Sequence, residues 1–256
     1  MNIISSGIIN TKIVFFPHIF AYNCHMRLDR YLANSGVGTR SEVKKIIHSK
    51  RVMVNGVIAK SDSLQVDENK DVILLDDEQI RYSKFYYIVL NKPEGYVSAV
   101  EDNLYPPVTD LISEYAFAKL FPVGRLDVDT TGTLLLTNDG ELCHNMLSPK
   151  KHVDKTYSVE VDGEIKPELI DKFKAGIMLD DELTLPADLL ILDKHHAELT
   201  IHQGKFHQVK RMFKYFNLNV IKLDRKSFGF LTSEGLEKGE YRLLTDEEIQ
   251  KLNQYK

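Results

Sequence analysis

Two cysteines, Cys24 and Cys143, are all that this 256-residue chain contains. So few thiols exclude a disulfide framework and suit a reducing cytoplasm. Long apolar runs are missing too. Ile13 to Phe20 is broken by Pro17 and is too short to span a bilayer. It also lacks the basic start and small-residue cleavage site of a signal peptide, so no membrane partner is expected. There is no P-loop and no internal repeat, and Gly36-Val37-Gly38 follows no strand, which argues against a dinucleotide loop. His195-His196 is the one metal-like pair, but adjacent residues diverge and no cysteine or carboxylate set completes a site. No metal is expected.

What is present is an ordinary globular composition, 43% hydrophobic and 27% charged. The length allows one large domain or two. The formal charge of -4 conceals segregation. Residues 27–60 carry eight Lys/Arg against two acidic residues, 61–85 three against seven, and 202–226 seven against one. Two basic patches in an acidic chain fit a localised polyanion footprint, or simply solvated charge.

Residues 1–25 do not match the pattern of the remaining chain and are expected to be a disordered leader, or not translated, with Met26 as the start. From Met26 to about residue 75 the pattern is a compact unit. Arg27 to Ser35 places Leu28, Tyr31 and Leu32 on one helical face and stops at Gly36. Thr39 and Glu42 make a capping box for a second helix with an apolar stripe of Val43, Ile46 and Ile47. Val52-Met53-Val54, Asn55-Gly56 and Val57-Ile58 read as a hairpin with a type I′ turn. Residues 76–84 are expected as a linker, and 85–256 as a second domain opening on a buried strand, Phe85 to Leu90. In the loop after it, Lys92 reads equally as a polyanion contact or a solvated lysine.

The centre of the chain is Phe121 to Gly140, FPVGRLDVDTTGTLLLTNDG. Thr133 to Thr137 is a short apolar run ending in Asn138-Asp139-Gly140, a buried strand closed by a tight turn. A carboxylate just before such a strand sits at the wall of the core. Desolvation raises its pKa and a neighbouring cation lowers it, and an ionised carboxylate held this way can act as a nucleophile. Spacing alone leaves Asp127 between that role and an ordinary turn residue; Asp129 and Asp139 read as turn residues. Pro167 to Gly176 is an amphipathic helix with Leu169, Ile170 and Phe173 inward. Ala197 to His202 alternates as a half-buried strand, and Val209, Met212, Phe213 and Phe216 have helical spacing. Tyr157, on an alternating strand over His152 to Val161, reads by pattern as a core aromatic with a hydrogen-bonded hydroxyl.

GRLDVDTTGTLLLTNDG resembles the catalytic motif of the ribosomal small subunit pseudouridine synthase A family, departing at Thr133, where the family usually has an aliphatic residue. KTY at Lys155 to Tyr157 and GKFHQVKRM at Gly204 to Met212 resemble its second and third motifs, and RLDRYL through VMVNG resembles an S4-like RNA-binding domain. The resemblance covers Met26 to about Ile249. It implies an α+β protein: a small S4-like module followed by a catalytic domain with a mixed, largely antiparallel sheet flanked by helices. It implies isomerisation of a uridine in rRNA to pseudouridine with no cofactor. Asp127 would be catalytic, by attack or by assisting departure of the base. Lys210 would keep Asp127 ionised and oriented, and Tyr157 would pack on the uracil. Arg40, Lys44, Lys45, Lys50, Arg51, Arg125, Lys205 and Arg211 would contact RNA. GEYRLLT and the Leu183 to Leu192 segment resemble the small-subunit branch, whose substrate is uridine 516 of 16S rRNA, free or in an assembly intermediate. A 23S-directed branch and a non-catalytic assembly factor are the alternatives. A cytoplasmic monomer is expected.

Overall fold

The computed structural model describes residues 25–148 and 151–256. The leader expected over 1–25 lies, but for His25, outside the described residues.

The first unit opens with β1 (His25–Arg27), α1 (Leu28–Asn34) and α2 (Arg40–His48). Gly36, at φ 83°, ends α1: its N–H donates to the Ala33 carbonyl and that of Val37 to Leu32. Those two bonds are a Schellman stop, which needs a left-handed residue that glycine supplies without strain. The Thr39–Glu42 capping box starts α2 as the pattern predicts. The short strands β2 (Val52–Val54), β3 (Val57–Ile58), β4 (Gln65–Asp67), β5 (Ile73–Leu75) and β6 (Glu78–Ile80) come next. They pair as β3-β2-β5-β6, with β4 on β1. Asn55 and Gly56 both have positive φ, as a type I′ turn requires. Leu28, Tyr31, Leu32, Val43, Ile47, Val52 and Ile73 make a closed core of this unit.

Residues 76–84, expected as a linker, differ. Asp76 and Asp77, both at positive φ, form a two-residue turn, and β6 continues the first sheet. Ile80 packs on the first core, and the Tyr31 hydroxyl donates to the Ile80 carbonyl and accepts the Tyr82 N–H. The acidic run hid a strand because aspartate tolerates the left-handed region.

The second unit is built on a nine-stranded sheet. Its members are β7 (Tyr87–Lys92), β8 (Phe121–Pro122), β9 (Thr131–Thr137), β10 (Lys155–Val161), β13 (Asp188–Ile191), β14 (His196–Ile201), β15 (Val220–Phe228), β16 (Leu231–Thr232) and β17 (Tyr241–Leu243). The main order is β13-β14-β10-β15-β9-β7-β17. A hairpin of β11 (Met178–Leu179) and β12 (Glu182–Leu183) stands apart. The helices are α3 (Gly140–Leu147), α4 (Leu169–Ala175), α5 (Gln208–Lys214) and α6 (Asp246–Leu252), and a 3₁₀ segment spans Val108–Ala118. Both faces of the central strands are buried. Ile88, Leu90, Leu134 and Leu136 enter one core, while Tyr87, Val89 and Leu135 enter the other. This is why these strands read as continuous apolar runs instead of alternating ones.

Three local expectations change. The strand expected at Phe85 to Leu90 runs instead from Tyr87 through Lys92, because Asn91 and Lys92 stay paired with Thr133 and Gly132. Ile170 is 39% exposed, while Leu169 and Phe173 bury the inner face of α4. Asp139 is no surface turn residue. It is buried at the start of α3, accepting from the Leu142 N–H and the Tyr87 hydroxyl and pairing with Lys256 at 3.0 Å.

The β9–β15 pair, Asp224 against Thr131 and Arg225 against Gly132, is parallel, whereas the other pairs of the sheet are antiparallel. Parallel strands enter from the same end. The loop feeding β9 and the helix feeding β15 are therefore delivered to one place, and those are the loop of Asp127 and the helix of Lys210. The strands approach closely there. A Cβ on Gly132 would lie 2.3 Å from the Arg225 carbonyl oxygen.

Candidate active site

The loop before β9 is fastened from beneath. Lys92, wholly buried, donates from Nζ to the carbonyls of Thr130 (2.8 Å), Asp127 (3.0 Å), Pro93 (3.1 Å) and Val128 (3.3 Å). Burial pushes its pKa down to about 8, against the pull of Asp129 and Asp127. Ser98 Oγ accepts the Leu126 N–H and donates to the Leu126 carbonyl, and the Gly95 N–H donates to the Val128 carbonyl. The segment from Lys92 to Ser98 therefore holds the Asp127 loop at several points through its backbone atoms. Lys92 is neither a solvated lysine nor an RNA contact. Its four carbonyl acceptors converge only after the chain folds back on itself.

Asp127 itself is left partly open, its side chain 29% exposed. Each carboxylate oxygen faces a base. Lys210 Nζ lies 3.0 Å from Oδ2, and His207 Nε2 lies 3.3 Å from Oδ1. Lys210 is set by α5, whose Val209, Met212 and Phe213 are buried in the core of that face. The lysine leaves the first turn sideways.

Asp129 lies in a turn, as the sequence suggests, and has a partner the sequence did not show: its Oδ1 accepts from Lys210 Nζ at 2.6 Å, a shorter contact than that to Asp127. Burial works to raise its carboxyl, but the Lys210 hydrogen bond and charge outweigh it and hold the carboxyl below the usual range. Burial likewise disfavours the Lys210 ammonium, and the bonds to Asp129 and Asp127 more than reverse this. Asp127 and Asp129 lie in one tight turn, closed by the Thr130 N–H donating to the Asp127 carbonyl at 3.0 Å, so both carboxylates stay near Lys210. One spacing pointed to the other partner. His207 lies three residues before Lys210 at the start of a helix, hence on the same edge.

Tyr157 is linked to the Asp127 loop by strand register alone. It pairs with Arg225 on β15, and Arg225 pairs with Gly132 on β9, so one cross-strand row joins it to the end of the Asp127 loop. Its ring enters the core that Leu126 and α5 share. The expected hydroxyl bond is not made: among the described residues the hydroxyl has no hydrogen-bond partner. The Thr133 departure is absorbed by polar contacts. Its hydroxyl donates to the Lys226 carbonyl and accepts the Ser233 N–H.

The basic residues divide. Arg40 and Lys44, with Arg27, Asp29 and Ser41, line a cleft of about 400 Å³ on the first unit. Lys44 also pairs with Asp62, and Arg51 is held by Asp76. Lys45 and Lys50 are exposed. Arg125 is exposed and has no ion pair among the described residues. On the segment that carries Lys210, Lys205 pairs with Glu182 and Arg211 with Asp180, both from the β11–β12 hairpin. Among the described residues no helix is long and apolar enough to cross a membrane.

Comparison with known proteins gives matches over both units. Residues 86–215 match the family described as RNA pseudouridylate synthase, and residues 26–72 match the S4 domain. A relative from Haemophilus influenzae, ribosomal small subunit pseudouridine synthase A, is 42% identical over 231 residues, 89% of this chain and 99% of the relative. A Bacillus subtilis relative, ribosomal large subunit pseudouridine synthase B, is 37% identical over 232 residues, 88% of this chain and 95% of the relative. A crystal structure of a pseudouridylate synthase superposes with a TM-score of 0.63 at 41% identity, covering 89% of this chain and 99% of that one.

Proposed function

This chain belongs to the RNA pseudouridylate synthase family, and from that we propose that it converts uridine 516 of 16S rRNA to pseudouridine. The substrate is the small-subunit rRNA, free or in an assembling particle, and the reaction takes place in the cytoplasm. The observation that carries the reading is the Asp127 carboxylate, presented by a loop clamped on its backbone and flanked on both oxygens by Lys210 and His207.

The reaction breaks the bond from N1 of uracil to C1′ of the ribose, turns the base, and joins C5 to C1′. The proton displaced from C5 leaves and N1 regains one, so the product is an isomer and nothing is oxidised or hydrolysed. Asp127 acts at the ribose–uracil junction, as attacking group or as electrostatic support for the departing base. Lys210 fixes the carboxylate, and Asp129 fixes Lys210 from the other side. Tyr157 offers a ring face to the uracil and a hydroxyl free to take a proton. A uridine must leave its stack to reach such a site. Residues 26–80 hold the RNA through phosphate contacts at Arg40, Lys44, Lys45, Lys50 and Arg51, and Arg125, Lys205 and Arg211 hold it at the cleft. These contacts position the RNA without reading its sequence.

Mapping pseudouridines in rRNA from cells lacking the chain tests the assignment. Loss of the modification at uridine 516 alone is expected. A gap in 23S rRNA instead would move the chain to the large-subunit branch, and an unchanged map would remove the catalytic reading.

A further inference from the structure

The loop entering α5 holds an aromatic pair that the proposed chemistry does not use. Phe206 and His207 stack with ring centroids 3.7 Å apart and planes at 19°. Phe206 is 71% exposed. We infer that this pair is a stacking platform for an unpaired nucleobase of the RNA, next to the uridine being modified; the inference rests on the function proposed for the adjacent Asp127 site.

The backbone is shaped to present the pair. His207 sits at the start of α5 in the left-handed region, φ 47° and ψ 33°, with no side-chain cap to compensate. Such strain in a residue other than glycine concentrates at functional sites. It is held from the inside. Gln208 is buried, and its Oε1 accepts the Lys205 N–H at 2.9 Å, while Arg211 Nη1 donates to the Phe206 carbonyl. The result is a fixed backbone with an aromatic ring standing in solvent.

The position decides what the ring can bind. The inner face of Phe206 is taken by His207, whose edge points at Asp127. A base on the outer face is then two ring layers from the carboxylate, too far to be the reacting uracil and well placed to be its neighbour. Lys205, Lys210 and Arg211 flank the pair in sequence, each held in an ion pair with a carboxylate that a phosphate would have to replace; exposed aromatic faces beside cations suit single-stranded RNA, where bases stack on rings and cations track the backbone. Stacking one base on an aromatic side chain is worth roughly five- to 150-fold in affinity.

The test uses the full chain and a small-subunit rRNA fragment with tritium at C5 of the target uridine and 2-aminopurine at one flanking position at a time. Phe206→Ala is expected to raise KM about tenfold while kcat falls less, and to abolish quenching at one flanking position. Phe206→Trp should restore both, and Phe206→Leu neither. Unchanged KM and quenching in Phe206→Ala, or full function in Phe206→Leu, would overturn the platform. Quenching needs no turnover. A parent that released no tritium but quenched through Phe206 would sink the catalytic reading and support the platform.

Discussion

Asp127→Asn separates chemistry from structure because of Asp129. Asparagine is nearly isosteric, so the loop clamped by Lys92 keeps its backbone contacts. Lys210 loses a partner at 3.0 Å but keeps one at 2.6 Å. At an effective dielectric of about 20 these two attractions are comparable, each about 6 kcal/mol before desolvation and screening. Removing one partner of a buried pair costs about 3–5 kcal/mol when the remaining charge is left alone. Here the ammonium is partly exposed and still paired, so the expected loss is about 1 kcal/mol, or about 2–4 °C in melting temperature for a chain of this size. Activity should fall at least about 10³-fold, the scale on which loss of a nucleophile or of transition-state stabilisation is felt. Asp129→Asn leaves Lys210 on Asp127 and should cost about tenfold in activity. The double variant strands Lys210, and its stability loss should exceed the sum of the single losses by about 1–2 kcal/mol. Tritium release from C5-labelled rRNA and thermal melts read all three proteins. Asp127→Asn within tenfold of the parent would remove the catalytic assignment, and additive stability losses would refute the shared Lys210.

Lys92→Met deprives four carbonyls of their donor, a loss of about 2–4 kcal/mol partly offset by no longer burying an ammonium; melts and tritium release should fall together, and a stable, fully active variant would contradict the clamp. Gly132→Ala places a methyl group against the Arg225 backbone at φ 105° and should cost at least about 2 kcal/mol or prevent soluble expression; a parent-like melt would mean the two strands can separate. For Asp139, burial raises the carboxyl, while bonds from Tyr87, Lys256 and the Leu142 N–H bring it below its ordinary 3.8. A carboxyl depressed in the folded state adds stability above 3.8 that is lost as pH falls through the folded value. Lys256→Ala should therefore move the acid-unfolding midpoint to higher pH, and coincident acid titrations of variant and parent would contradict the pairing.

The apolar pattern made the layers legible. Thr133 to Thr137 and the run around Tyr87 to Leu90 are apolar on consecutive positions because each faces two cores, and the capping box at Thr39 and the stop at Gly36 are local devices written within a few residues. What stayed hidden depends on partners far apart in sequence. Lys92 meets carbonyls 35 to 38 residues away, and nothing in Asn91-Lys92-Pro93 distinguishes a buried lysine from a wet one. Asp139 and Lys256 lie far apart in the second unit's sequence and meet at one helix start. β6 was concealed by acidic residues whose turn conformation matters more than their charge.

The same distinction explains the unequal fate of the two aspartates. Asp127 stands out in the sequence because it is the aspartate of the Arg125-Leu126-Asp127 step that resembles a catalytic motif; spacing alone leaves it between a nucleophile and a turn residue. Asp129, two residues on and more exposed, lacks that mark. Its role arises when the parallel β9–β15 pair delivers α5 to the same end of the sheet, since a single ammonium between two carboxylates binds whichever oxygen approaches. An antiparallel pairing would have sent α5 to the far end and left both aspartates without Lys210. The direction of one strand pair thus converts a D-x-D turn into a lysine-bridged dicarboxylate, and the double variant measures that conversion because its non-additivity exists only if both carboxylates hold the same Lys210.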